Sequence, residues 1–237
     1  MEENSVSAEN TPESNKEKRL EIMVAIFLGL AALTTSWASW MGSIHGGNQS
    51  TKFNRASNME NSANSSWMQA NQDFTQDLML WNKISDLFID LQYSTNNVED
   101  GKIRAKYQRM LECCSDSFGV AVEWALDQDT MGLEGDFITP FQKEGYTDSY
   151  YTQCIDEFSQ AEELTNQGEK DGENGDKFGL VTLVLSVVLF LLGIIGTFKR
   201  LPNRLIIMYV AGFAYLVATI YMFTIPMPDG FSFANFF

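Results

Sequence analysis

The chain has 237 residues, with 31 acidic against 16 basic side chains and a formal net charge of −15. That balance excludes a nucleic-acid binder that depends on a basic footprint for phosphates. One histidine and three cysteines are too few soft ligands for a zinc finger or a His-rich metal site, and no cofactor or catalytic set is expected.

Residues 1–19 are rich in Glu, Asn and Ser without an apolar period and read as a disordered cytoplasmic tail. Three stretches then meet the roughly 20 apolar residues that a bilayer demands: 20–41, 178–198 and 205–225. The last two are joined only by the basic turn 199–204, which makes them a tight antiparallel hairpin. Residues 226–237 form a short tail. The segment between the first and second spans, 42–177, is polar; its residues 42–176 hold 24 acidic against 9 basic side chains and so carry the whole net charge.

Basic residues in short loops set orientation. Lys16, Lys18 and Arg19 precede the first span, and Lys199, Arg200 and Arg204 lie between the second and third. Both clusters are therefore expected in the cytoplasm, with residues 42–177 and the C-terminus outside it. Trp37 and Trp40 suit an aromatic belt at the outer end of span one. A cleaved signal peptide ending near Ser36-Trp-Ala38 is the lesser reading, because a long acidic tail precedes the stretch.

From residue 48 to about 93 the pattern is that of one long helix. Ala56, Met59, Ala63, Trp67, Ala70, Phe74, Leu78, Trp81, Ile84, Phe88 and Leu91 recur at steps of 3 and 4, with the eleven-residue repeat of a straight or slightly right-handed packing. The opposite face, up to Gln72, is crowded with Asn, Gln, Ser and Thr. Its simplest role is close helix packing; a water-filled vestibule is the sharper alternative. A second helix is expected over 102–126, a loop over 127–148 and a third helix over 149–168. By propensity, Gly168-Glu-Lys-Asp-Gly-Glu-Asn-Gly-Asp176 is a hinge or loop, unless packing against the long helix keeps it helical.

Tested motifs mostly fail. The stretch from Asp127 starts like an EF-hand loop, but Met131 and Ile138 occupy ligand positions. No phosphate-binding, dinucleotide or hydrolase signature occurs. His45, just beyond span one, has no sequence neighbour to act with and reads as an interfacial or hydrogen-bonding residue. Gly46-Gly47 after it suits a bend or a close helix approach. Cys114 and Cys154 fall on the apolar stripes of their helices, which makes them the expected disulfide pair if those helices pack together, with Cys113 unpaired. The spans carry small residues at helical spacing: Ala31, Thr35 and Ser39, then Gly193 and Gly196, then Ala211, Ala214 and Ala218. Such stripes let helices approach closely, within one chain or between chains. With Ala63 and Ser66 of the long helix they form the expected packing or assembly face.

The chain resembles a family of uncharacterised bacterial three-span membrane proteins. The resemblance is carried by Leu20-Glu-Ile-Met-Val-Ala-Ile-Phe-Leu-Gly-Leu-Ala-Ala-Leu-Thr-Thr-Ser-Trp37, by Gly46-Gly47-x-Gln49, by Trp67-x-Gln69-Ala-Asn-Gln72, and by Gly168-Glu-Lys170 with Gly175-Asp-Lys-Phe-Gly-Leu-Val-Thr-Leu-Val-Leu185. It covers mainly the spans and their flanks, and matches only loosely over 94–147. It implies an inner-membrane location and one continuous helix over 149–198, and supplies no catalytic residues.

The expected protein is thus an all-α membrane protein with an acidic extracytoplasmic helical domain between its first and second spans. Its partners are the lipid bilayer and further copies of itself, not nucleic acid. The expected function is a non-enzymatic structural, scaffold or sensing component; the alternative is a pore or channel subunit.

Overall fold

The computed structural model describes residues 12–95, 97–128, 138–198 and 203–231. Five α-helices and no strand occur among them: α1 (Pro12–Tyr93), α2 (Asn97–Glu112), α3 (Asp116–Asp127), α4 (Tyr146–Thr197) and α5 (Arg204–Thr224). α1, α4 and α5 are each long and apolar enough to cross a membrane. Packing divides the chain into two units, the first ending at Asn54 and resuming at Leu164, the second running Arg55–Glu163. Residues 42–54 and 164–177 thus belong to the same compact unit as the three apolar helical stretches.

α1 already starts at Pro12, so residues 12–19 are helical rather than part of a disordered tail. Proline fits the first helical position, where its missing N–H is not needed, and Lys16-Glu-Lys-Arg19 are good helix formers.

In the first unit, α4 runs antiparallel to α1, and α5 returns alongside. One apolar cluster joins Val24 and Ala31 of α1 to Val188, Leu192 and Ile195 of α4 and Ala211 of α5. A second joins Ala38 and Met41 to Phe178, Val181 and Leu185, and to Ala218, Met222 and Ile225. The outward faces present Ile22, Leu33, Leu183, Phe190, Phe213 and Phe223, exposure that suits hydrocarbon rather than water. Arg204 is buried at the start of α5 and donates from Nη2 to the carbonyl of Ile195 at 2.9 Å, closing an open carbonyl near the end of α4.

The glycine run 168–176 is helical, not a hinge. Its glycines are notches against α1. A Cβ on Gly172 would collide with the Gln49 amide, and one on Gly168 would lie 2.8 Å from the Phe53 ring. A close backbone approach pairs Gly42 with Gly175, where a Cβ on either glycine meets the other's carbonyl oxygen at 3.5 Å. The sequence placed the close approach at Gly46-Gly47 instead; there α1 runs straight on, and a Cβ added to either glycine would meet nothing within 4 Å. Gly46→Ala is accordingly expected to stabilise the protein by about 0.5–1 kcal/mol through helix propensity. Gly42→Leu is expected to cost about 1–3 kcal/mol, because its Cβ would already stand 3.3 Å from that of Phe178. Thermal unfolding of both variants in one detergent checks the pair, and equal shifts would refute it.

In the second unit, α1 from Arg55, α2, α3 and the first turns of α4 enclose Trp81, Ile84, Phe118, Ala121, Val122 and Tyr146. The expected helix 102–126 is two helices. Ser115 is the N-cap of α3, its Oγ accepting from the Phe118 N–H at 3.3 Å, so the chain turns at 113–115. The packing period also differs from the expected eleven. The buried small residues of α1 are Ala56, Ala63 and Ala70, seven apart, and those of α4 are Cys154 and Ala161, also seven apart, whereas Trp67 of the expected stripe is 46% exposed. Of the rejected EF-hand stretch, Asp129, Met131 and Gly132 lie outside the described residues.

Candidate functional site

Where α1 leaves the apolar clusters, a buried polar group sits in the first unit. His45 is 1% and Asp171 5% exposed. The α1 periodicity that buries Ala31 and Ala38 puts His45 seven residues further on the same face, and Gly175 makes room for it on α4. The His45 Nδ1 lies 2.9 Å from Asp171 Oδ1, and Nε2 lies 3.1 Å from the carbonyl oxygen of Pro226. Phe178 stacks on the imidazole with ring centroids 5.7 Å apart. The other Asp171 oxygen accepts from Lys52 Nζ at 2.7 Å, and the same ammonium reaches Asp229 Oδ2 at 2.9 Å. Asn48 donates to the carbonyl of Asp229 at 3.0 Å. Residues 226–231, which follow α5, are thereby tied back onto α1, and Phe231 packs edge-on against Trp37 and Trp40 at 5.8 and 5.7 Å.

The electrostatics close on themselves. Burial pushes the Asp171 carboxyl up, but the Lys52 ammonium and the His45 ring outweigh it and hold the carboxyl below its ordinary value. Hydrogen bonds to Asp171 first, then to Asp229, raise Lys52. A catalytic triad would need a hydroxyl or thiol at the outer ring nitrogen; His45 has the Pro226 carbonyl there, which is not a nucleophile.

The second unit holds a groove of about 860 Å³. Its lining includes Asp73 and Asp77 of α1, Cys113 and Cys114 of the turn, and Tyr150 and Gln153 of α4. Asp77 Oδ2 accepts from the hydroxyls of Tyr146 at 2.8 Å and Tyr150 at 2.5 Å. Burial first, and then the Asp77 carboxylate, raise both phenols well above their ordinary range, so they stay donors. The Cys114 thiol is pushed up to about 11 by burial and then by Asp77, the reverse of what a reactive thiolate needs.

All three cysteines are free, so the expected Cys114–Cys154 disulfide is absent. Cys114 lies in the turn between α2 and α3 rather than on one continuous helix, so the apolar stripe does not carry it toward Cys154. Cys114 packs beside the cluster of Phe118 and Trp81 and bonds the Met110 carbonyl, while Cys154, fully buried, bonds the Tyr151 carbonyl.

Of the expected packing or assembly residues, Ala31, Ala63, Ala211 and Ala218 are buried within the chain, and Gly193 and Ala214 partly so. The Thr35 hydroxyl bonds the Ala31 carbonyl at 2.6 Å, and Ser66 bonds Glu157 at 2.9 Å. Ser39 and Gly196 are exposed. Among the topology residues, Lys18 and Arg19 are exposed, the side chain of Lys16 and the residues Lys199 and Arg200 lie outside what is described, and Arg204 is buried. The sequence reading missed Asp171, Lys52, Asp229 and Pro226 as partners of His45; no local pattern links residues 126 and 181 positions apart.

Comparison with known protein families, with curated proteins and with solved structures finds no match to this chain.

Proposed function

We propose that the chain is a non-enzymatic integral membrane protein that self-associates and acts as a structural, scaffold or sensing component. The observation that carries this reading is the outer face of α1 in the second unit. Ser57, Asn58, Asn61 and Asn64 are exposed, with Arg55 and Glu60 as the face's only charges. A surface so rich in short amides and hydroxyls and so poor in charge is better suited to hydrogen bonding another helix than to free solvation. The small residues that are buried within the chain do not compete for this role. Ser57→Lys with Asn61→Lys charges the face without touching a buried residue and is expected to shift the protein toward monomer by tenfold or more. Native mass spectrometry from mild detergent reads it; a monomer at every concentration of the unmodified protein would overturn self-association.

The same face, repeated around a closed ring, would line a polar vestibule, which is the second reading: a pore subunit. Conductance in liposomes of purified protein separates the two.

The orientation proposed is N-terminus cytoplasmic, with the second unit and the C-terminus outside, in a bacterial inner membrane; it rests on the basic clusters and on the resemblance of the span sequences. A membrane-impermeant thiol reagent on intact spheroplasts should label Ser94→Cys and spare Ser14→Cys. Labelling of position 14 alone would reverse the orientation.

A further inference from the structure

We propose that His45 is a pH-dependent latch: its doubly protonated ring clasps the segment 226–231 to α1, and loss of one ring proton releases that segment. Two oxygen atoms flank the imidazole. The Pro226 carbonyl at Nε2 can only accept. Asp171 at Nδ1 is engaged through its other oxygen by Lys52 at 2.7 Å, so it is a carboxylate and also only accepts. Both ring nitrogens therefore need a hydrogen, which only the imidazolium has. A neutral ring keeps one hydrogen bond and turns a lone pair toward an oxygen about 3 Å away, on an imidazole that is itself only 1% exposed. Histidine is the side chain that makes this change of charge between about pH 5 and 8.

The charged groups around the ring favour this assignment. Asp171 comes from α4, Lys52 from α1 itself and Asp229 from the clasped segment. With His45 charged, two cations face two anions; with it neutral, one negative charge is left over beside a carbonyl lone pair. Between the two ring contacts, the carboxylate of Asp171 is the stronger acceptor and is itself pinned by Lys52. The proton that leaves is therefore the one on Nε2, and the contact that fails is the one to Pro226. The remaining holds on the segment are Lys52 with Asp229, Asn48 with the Asp229 carbonyl, and Phe231 with Trp37 and Trp40. None of them touches the His45 ring, so they set how far the released segment moves but not when it is released. The latch needs no second copy of the chain and stands or falls apart from self-association.

Because the chain has a single histidine, labelling with ring-15N histidine reports His45 alone. The full-length protein in lipid nanodiscs is titrated from pH 5 to 8.5. The two ring 15N shifts are followed alongside hydrogen exchange of the C-terminal peptide, corrected for intrinsic rates. The expected result is an imidazolium at the acid end, an Nδ1–H tautomer at the alkaline end, and exchange of the C-terminal peptide at least tenfold faster with the same midpoint. His45→Gln is expected to give fast exchange at every pH. Asp229→Asn is expected to speed exchange throughout yet keep the step. Ring deprotonation without a change in exchange overturns the latch, and so does a ring that stays doubly protonated, or neutral, across the whole range. Since the titration is done on the unmodified protein, a variant that fails to fold does not shield the proposal.

Discussion

Asp171→Leu is expected to destabilise the protein by about 3–5 kcal/mol, the cost of leaving buried charge without its counter-ion. Asp171 serves two cations at once, and both it and His45 are nearly inaccessible, with side-chain exposures of 7% and 2%. Lys52, at 17%, keeps Asp229 as a partner, so the larger share of the loss falls on His45. His45→Leu combined with Asp171→Leu should recover part of the loss, because an apolar pair of similar volume beside Phe178 carries no unpaired group. Asp171 and Lys52 each set one edge of the pH dependence. The Asp171 carboxyl is lowered from 3.8, so its contribution is complete above that value and is lost as pH falls through the lowered one. The Lys52 ammonium is raised from 10.5, so its contribution is complete below that value and is lost as pH rises through the raised one. Unfolding in a detergent–urea series at pH 7 measures the main effect; a change within about 0.5 kcal/mol, the scale of an ordinary surface substitution, would show that the group is hydrated.

The three helices long and apolar enough to cross a membrane were legible because their signal is long and one-dimensional: some twenty apolar residues admit few other readings. The long helix was legible for the same reason. Two features misled. Gly168, Gly172 and Gly175 break helices by intrinsic propensity, and only the presence of Gln49, Phe53 and Gly42 opposite turns them into packing notches. Their spacing of 4 and 3, one helical face, was the available sign. At 113–115 the apolar stripe continues across the turn, since Cys114 and Phe118 both face the core, and the stripe hid a readable helix start at Ser115-Asp116. The His45 group lay beyond reach altogether. Its geometry is made by three separate segments, and a lone histidine in sequence carries no trace of a carboxylate from α4 or a carbonyl after α5.

Phe118→Ala should cost about 3–5 kcal/mol, the range for deleting a fully buried ring. Phe118 packs against both Phe141 and Tyr146, at centroid distances of 6.1 Å to each, in a triangle of rings that the 6.2 Å Phe141–Tyr146 contact closes, and shares its cluster with Trp81 and Ile84. The space it leaves is walled by large rings from three separate segments, α1, the turn at Pro140–Gln142 and α4, which cannot all close on it together. Thiol chemistry gives a local readout beside the global one. In the unmodified protein at pH 7.5, Cys113 should react with a maleimide within minutes, because it is exposed. Cys114 should lag, because its thiol is raised to about 11, and Cys154 should be silent because it is buried. In the Phe118→Ala protein the Cys114 thiol loses the packing that desolvates it, so its rate should rise at least tenfold, toward that of Cys113. Cys154 lies outside the Phe118 cluster and should change far less. Equal acceleration of Cys114 and Cys154 would mean that the unit opens as a whole, and no acceleration would mean that Phe118 does not hold the turn at 113–115 in place.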